Sequence, residues 1–255
     1  MPMKIVSWNV NSLNVRQSQV LDYLESHHPA VLGLQELKQT DEAVKREAFI
    51  QAGWHLVTQG QKTYNGVALI SKSAPENVVR GIPNNEDDPQ ARAIAASYGD
   101  LRVLNLYVPN GKAVGDEKYH YKLGWLEKLQ AYVARLLQEY PKLVVIGDFN
   151  IAPADIDVHD PKAWQDKILC SAPERQALQA LFDLGLTDAF RARHPERQQF
   201  SWWDYRMGGL RRNLGLRIDL TLISPALQLI DADIDMAPRE QERPSDHAPA
   251  WVEIQ

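Results

Sequence analysis

The sequence contains a single cysteine, Cys170, and no long hydrophobic run. One thiol cannot form an internal disulfide, which fits a reducing compartment. The N-terminal stretch MPMKIVSWNVNSL lacks the uninterrupted apolar core of a secretory signal. No segment approaches the roughly 20 apolar residues that a membrane-spanning helix needs. We therefore expect a cytoplasmic protein with no membrane partner.

The sequence also lacks an excess of positive charge and any Cys/His set with zinc spacing. Its formal net charge of −5 argues against a protein that coats nucleic acid nonspecifically. A nuclease is not excluded, because metal-binding carboxylates lower the total while a local positive surface contacts phosphates. The best candidate for that surface is 206–217, RMGGLRRNLGLR, with four Arg and no acid. A solvated loop is the alternative reading of this segment.

Short apolar, β-branched runs alternate with helical patterns along the chain, which predicts one α/β domain over 1–255. The predicted strands are 4–9, 31–36, 66–71, 102–108, 143–148, 217–223 and 249–254. Apolar spacing near 3.6 predicts helices within 16–27, 123–140 and 173–185. The segments 84–90 and 158–174 are predicted to be loops. Two strands, in IVSWNVN and VVIGDFNI, end alike, which suggests two stacked sheets that present their strand ends at one edge.

Polar side chains stand where several of these apolar strands stop. They are Asn9, Glu36, Asp148, Asn150, Asp219 and the Asp246–His247 pair of RPSDHAP. Each alone has an ordinary reading, such as a turn, a surface acid or a cap. An acid inside an apolar run, like Asp219 in RIDLTLI, must be paired, solvent-facing or functional, since an unpaired buried charge is very costly. Together these residues indicate a functional site at the strand ends.

The carboxylates and amides of this set are hard oxygen ligands, which suit Mg²⁺, with Mn²⁺ as a substitute. His247 could face a phosphoryl oxygen instead, with Asp219 fixing its tautomer and favouring its charged form. The pattern favours metal-assisted attack of water on a phosphate ester.

Several segments resemble, in order, motifs of the exonuclease III family: SWNVNSL, LQELK, GQKTYNGVAL, NLYVPNG, GDFNIAP, SWWDYR, GLRIDLTLIS and ERPSDHAP. The resemblance covers essentially the whole chain. It implies a DNase I-like four-layer α/β sandwich, in which two packed mixed β-sheets are flanked by helices. The implied function is metal-dependent DNA repair: hydrolysis 5′ to abasic sites, removal of 3′-phosphate and other 3′ blocks, and 3′→5′ exonuclease action on duplex DNA. A monomer acting on such DNA is expected.

The resemblance also implies roles for individual residues. Asn9, Glu36, Asp148, Asn150, Asp246 and His247 form the metal site, for one ion or two. Tyr107, Asp148, Asn150, Asp219 and His247 form the catalytic set, in which Asp148 orients or deprotonates the attacking water. Candidate DNA contacts are Arg92, Lys118, Lys122, Trp202, Trp203, Arg206, Arg211, Arg212 and Leu216. The two tryptophans are expected to line a pocket for a flipped baseless sugar, with a core position as the alternative.

One stretch departs from the family pattern. KILCSAPERQ is about one residue shorter than expected for a loop bordering the substrate groove, and Leu169 places an apolar side chain there. A bulky group at this position could hinder the flipped geometry without touching the metal site. Three alternatives therefore stay open: a 3′-end-processing specialist with little abasic-site incision, a hydrolase of small phosphate esters, and an inactive nucleic-acid-binding member.

Overall fold

The computed structural model describes residues 2–255, which form two six-stranded sheets and a two-stranded one. The strands are β1 (Met3–Asn9), β2 (Val31–Gln35), β3 (His55–Gln59), β4 (Val67–Ser71), β5 (Glu76–Arg80), β6 (Ala93–Tyr98), β7 (Leu101–Tyr107), β8 (Lys142–Asp148), β9 (Thr187–Asp188), β10 (Trp202–Trp203), β11 (Gly215–Leu216), β12 (Asp219–Ile223), β13 (Leu229–Ile234) and β14 (Ala250–Ile254). The helices are α1 (Leu13–His27), α2 (Glu47–Gln51), α3 (Glu117–Glu139), α4 (Pro161–Trp164), α5 (Ala172–Phe182) and α6 (Ala189–Arg193).

The first large sheet has the order β13-β14-β1-β2-β4-β3, and the second has the order β5-β6-β7-β8-β12-β9. Both are mixed: β1 pairs with β2, and β7 with β8, in parallel, whereas the other pairs of strands are antiparallel. Apolar side chains such as Ile5, Val103 and Val144 fill the space between the two sheets. The α/β fold predicted from the alternating apolar runs is therefore present.

Helices cover the outer face of each large sheet. Trp8 and Leu34 of the first sheet pack with Val20 of α1 in one apolar cluster. In another, Leu104 of the second sheet packs with Leu129 of α3. Helix, sheet, sheet and helix thus make four layers, because each sheet must bury an apolar surface on both faces. Within residues 2–255, no helix combines the length and apolarity required to span a bilayer.

Several predicted boundaries differ from the observed ones for local reasons. Glu36, expected at the end of β2, lies just beyond it with φ 56°, so the chain has left the strand. Arg217 and Ile218, expected inside β12, precede it because their N–H groups donate to the Asp157 carbonyl and the Ser201 hydroxyl. The loop expected at 158–174 contains α4 and the start of α5.

The sheet register brings the polar strand ends together. In the second sheet, Tyr107 lies beside Asp148, which in turn lies beside Asp219 on the third strand. Gly147 permits this close packing, since an added Cβ would lie 2.1 Å from the Leu106 carbonyl oxygen. In the first sheet, β1 ends at Asn9 alongside the end of β2. One edge of the sandwich therefore gathers residues that are far apart in sequence.

Candidate active site

Three titratable side chains converge at this edge. Glu36, Asp148 and His247 offer ligand atoms that all lie within 4.8 Å of one another. Asn9 braces them: its Nδ2 donates to Oε1 of Glu36 and to Oδ2 of Asp148, both at 2.9 Å. Asp148 is almost fully buried, at 1% exposure. Two carboxylates this close repel each other, so the donor set suits a divalent cation that takes oxygen ligands.

Asp219 and His247 form the ion pair that the sequence predicted. Nδ1 of His247 lies 2.8 Å from Oδ2 of Asp219, and its Nε2 lies 3.6 Å from Oδ2 of Asp148. Burial by itself would lower the pKa of His247, but the charges of Asp219 and Asp148 outweigh burial and raise that pKa. An imidazolium at this point can donate a proton or a hydrogen bond to a phosphate oxygen. It has no free lone pair for a metal, which favours the phosphate-contact role for His247.

The pKa values of Asp148 and Tyr107 are both raised in the metal-free protein. Burial is the main cause that raises the pKa of Asp148, and the charge of Asp219 adds to it while His247 opposes it. Burial, then the charges of Glu36 and Asp148, raise the pKa of Tyr107 well above its ordinary value. The phenol is therefore neutral at pH 7 and can donate a hydrogen bond into the site.

Asn150 is held rigidly beside Asp148. Its backbone N–H donates to Oδ1 of Asp148 at 2.9 Å, and its Nδ2 donates to the Val108 carbonyl at 3.0 Å. Its Oδ1 accepts from Nδ2 of Asn110 at 3.1 Å. Asn110 was not singled out from the sequence, although it lies in the NLYVPNG motif that was. With φ at 49°, Asn150 adopts a left-handed conformation that asparagine tolerates better than most residues.

Asp246 lies apart from the three-residue cluster. Its Oδ1 accepts from Nδ2 of Asn11 at 3.0 Å, and its Oδ2 accepts from Nε1 of Trp202 at 3.0 Å. Asn11 in turn accepts a hydrogen bond from Lys38, which forms an ion pair with Glu36 at 3.0 Å. Asp246 is thus linked to the cluster through other side chains. Asn11 and Lys38 were not selected from the sequence, where only their places in SWNVNSL and LQELK could have pointed to them.

The two tryptophans of SWWDYR have different environments. Successive side chains of a strand point to opposite faces, so β10 exposes part of Trp202 and buries Trp203, which is 1% exposed. Trp203 packs with Phe200 in the core and donates to Asn213. The expectation that Trp203 contacts DNA is therefore corrected: it is a core residue. Leu216 is likewise fully buried, in an apolar cluster that includes Leu169, Ile218 and the partly buried Trp202, so its predicted contact with DNA is corrected as well.

The basic residues predicted to contact DNA differ in their exposure. Arg92 and Lys118 line a cavity of about 550 Å³ that opens beside Tyr107 and includes the exposed Tyr64. Arg206, Arg211 and Arg212 are exposed on the loop before β11, with Arg206 paired to Asp204 at 2.8 Å. Lys122, in contrast, has no exposure, because its ammonium is paired with Glu174 inside the protein. Lys122 cannot contact a phosphate there, so that prediction is wrong.

Comparison with known proteins agrees with this geometry. The model of the Endonuclease/Exonuclease/phosphatase family matches residues 6–247. The chain belongs to this family. It is 39% identical to Exodeoxyribonuclease III of Haemophilus influenzae, over 99% of this chain and 100% of that protein. A structure of the 3′ phosphatase NExo from Neisseria, a variant bound to a product DNA hairpin, has a TM-score of 0.98 and 49% identity, covering 99% of both chains. An AP endonuclease from Archaeoglobus fulgidus has a TM-score of 0.94 and 36% identity, covering 98% of both.

Three expectations from the sequence are thereby confirmed. The chain is a hydrolytic nuclease of the exonuclease III type. Its fold is the DNase I-like four-layer sandwich. Metal dependence is confirmed at the level of the family and of a donor set able to hold an ion. The comparisons do not favour a hydrolase of small phosphate esters, since the similar proteins are named as nucleases or, for NExo, as a 3′ phosphatase bound to DNA.

Proposed function

We propose that this protein is a Mg²⁺-dependent DNA repair phosphodiesterase, with Mn²⁺ as a substitute ion. It would incise duplex DNA on the 5′ side of abasic sites and remove 3′-phosphate and other 3′ blocks. It would also degrade duplex DNA as a 3′→5′ exonuclease. The observation that carries the proposal is the convergence of Glu36, Asp148 and His247, braced by Asn9, at the edge where both sheets end. We further propose one domain over residues 1–255, acting as a cytoplasmic monomer.

All three reactions share one chemical step. A water oxygen forms a new bond to phosphorus, the P–O3′ bond breaks, and the 3′ oxygen leaves and takes a proton. Glu36 and Asp148, with Asn9 and the more distant Asp246, would hold the ion. When bound, it would neutralise charge that develops on the phosphate.

The protein groups around the ion have complementary tasks. Asp148, fixed by hydrogen bonds from Asn9 and the Asn150 N–H, accepts the proton of the attacking water. His247, held by Asp219, donates to a phosphate oxygen as negative charge accumulates. Asn150 and the neutral Tyr107 supply further donors. Removing one such stabilising group typically lowers the rate on the order of 10²–10³-fold.

A second candidate, a 3′-end-processing enzyme with little abasic-site incision, is favoured by one observation. Leu169 is 4% exposed and packs in the same apolar cluster as Trp202, the tryptophan of SWWDYR that stays partly exposed and could contact a flipped sugar. A baseless sugar could enter there only if Leu169 moved. A terminal phosphate needs no flipped nucleotide.

Two labelled duplexes test the proposal, one with an internal abasic-site analogue and one with a nick ending in 3′-phosphate. Each is incubated with Mg²⁺ and with EDTA. Metal-dependent incision of the first supports abasic-site repair, and turnover of only the second supports the 3′-end specialist. His247→Ala should abolish most turnover, whereas His55→Ala, at an exposed position on β3, should not. Failure to cleave either DNA, with turnover of small phosphate esters instead, would refute the proposal.

A further inference from the structure

A buried ion pair joins two loops that border the candidate site. Lys122 of α3 and Glu174 of α5 have no exposure, and the Lys122 ammonium donates to Oε1 of Glu174. The other two protons of the ammonium are directed at backbone carbonyls, those of Asn150 at 2.7 Å and Asn110 at 3.2 Å. The three donors of this lysine are thus satisfied. Two of the three therefore hold the loops that carry Asn150 and its hydrogen-bond partner Asn110.

Glu174 makes the matching contacts on the other side. Its Oε1 also accepts from the backbone N–H of Leu169 at 3.1 Å. Its Oε2 accepts from the Ser171 N–H at 3.1 Å and from the Ser171 hydroxyl at 2.6 Å, which caps α5. The carbonyl of Leu169 accepts from the N–H of Ala152, two residues beyond Asn150. Leu169 is therefore fixed through both of its backbone polar groups.

The conformation of Leu169 needs such support. Its φ is 71°, a left-handed value that is uncommon for a leucine. Strained backbone of this kind persists only where its surroundings over-determine it. The hydrogen bond to Glu174 supplies that constraint, and it aims the leucine side chain into the apolar cluster with Leu216 and Ile218.

We propose that the Lys122–Glu174 pair positions both the Asn150 loop and Leu169, and so sets the balance between abasic-site incision and 3′-end removal. This inference rests on the proposed function, because it concerns the choice between two DNA substrates of one site. Lys122 and Glu174 are positioning residues, since their side chains lie too deep to reach DNA. A pair that only stabilised the fold would lower both activities equally and leave their ratio unchanged.

Glu174→Gln tests the proposal with little change in volume. Glutamine offers one acceptor oxygen and no charge where Glu174 accepts from four donors, so its amide group must face either Lys122 and Leu169 or Ser171. In the first orientation both contacts on the Lys122 side are lost. In the second the uncharged oxygen attracts the Lys122 ammonium less strongly, and the turn that joins Ser171 to Leu169 is loosened. Loosening Asn150 should lower kcat on both substrates by a shared factor, because a displacement of about 1 Å can cost on the order of 10²-fold. Releasing Leu169 should raise the ratio of abasic incision to 3′-phosphate removal by at least about tenfold.

The Leu169→Gly background separates positioning from general damage. There the leucine no longer blocks the pocket, so adding Glu174→Gln should change the ratio less than about twofold, as coupled residues are non-additive. Glu139→Gln, in an exposed pair with Arg135 on the same helix as Lys122, is the matched control and should change neither activity. Circular dichroism reports whether each variant is folded.

The outcomes are distinct. If the wild-type protein cleaves neither DNA, the proposed function fails. Two results with an active wild-type protein would overturn the inference. In the first, Glu174→Gln folds but keeps the wild-type ratio of abasic incision to 3′-phosphate removal. In the second, Glu174→Gln changes that ratio by the same factor in the wild-type and in the Leu169→Gly backgrounds. If Glu174→Gln does not fold, Ser171→Ala replaces it, because it keeps both charges and loses only the Ser171 hydroxyl bond to Glu174. It should shift the ratio in the same direction by less, and an unchanged ratio would again overturn the inference.

Discussion

Replacing Asp148 by asparagine is expected to stabilise the metal-free protein while removing its nuclease activity. Burial, with a contribution from Asp219 and against the attraction of His247, raises the pKa of Asp148 from 3.8 to about 7. The folded state therefore disfavours the ionised carboxylate. The stability that this carboxyl contributes is fully present below pH 3.8 and is lost as the pH rises through about 7.

The magnitude follows from that pKa difference. At about 1.4 kcal/mol per pKa unit, ionising Asp148 costs the fold about 4 kcal/mol above pH 7. Asparagine escapes this cost but has one acceptor oxygen where Asp148 accepts from both Asn9 and Asn150. The donor left unpaired in the buried site costs about 2 kcal/mol, whereas the attraction of Asp148 to His247 is already contained in the pKa of about 7. The expected net gain at pH 8 is about 2 kcal/mol.

Urea unfolding in EDTA at pH 4.5, 6 and 8 measures this gain. Wild-type stability should fall with pH more steeply than that of Asp148→Asn, and the difference should shrink at pH 4.5, where the buried carboxyl keeps its proton. For a chain of this size, the gain corresponds to about 4–8 °C in Tm at pH 8. Mg²⁺ should stabilise wild type more than the variant, since bound ligand stabilises the state it binds.

Asp100→Asn is the control, because Asp100 is exposed and paired with Lys142, which holds the pKa of its carboxyl below the usual value. This variant should gain no stability at pH 8. The reasoning would be refuted if Asp148→Asn were no more stable than wild type at pH 8, or if its advantage were the same at pH 4.5. Activity on either DNA should fall by about 10²–10⁴-fold, the usual contribution of a general base.

Three further predictions concern single side chains. His247→Ala should lower turnover on the order of 10²-fold or more with unchanged circular dichroism; near-normal cleavage would remove His247 from the mechanism. Glu36→Gln should abolish the Mg²⁺-induced rise in Tm, and a rise equal to that of wild type would exclude Glu36 as a ligand. Arg217→Met leaves Asp157 and Asp188 without their shared buried partner, so unfolding in urea should show a loss of about 3–5 kcal/mol. An unchanged urea midpoint would contradict that role for Arg217.

The local pattern of the sequence determined where the site would be found. LVVIGD is an apolar run that ends in an acid, and β8 forms over it, from Lys142 to Asp148. Asn9 likewise ends β1, as predicted. An apolar strand that stops at a polar residue is encoded within a few positions, because side-chain alternation and burial act locally. The α/β class and the set of polar strand-end residues could therefore be found before any contact was known, whereas Tyr107 and the division of roles came only from the resemblance to the family.

Tertiary packing decided whether the basic and aromatic residues outside those strand ends are buried or exposed. Lys122 is of a residue type that often contacts phosphate, yet it is buried against Glu174, which is 52 positions away in sequence. Trp202 and Trp203 are adjacent and identical, and only the docking of β10 on the core exposes one and buries the other. Burial and ion pairing depend on segments that meet only after folding, so no short stretch of sequence specifies them.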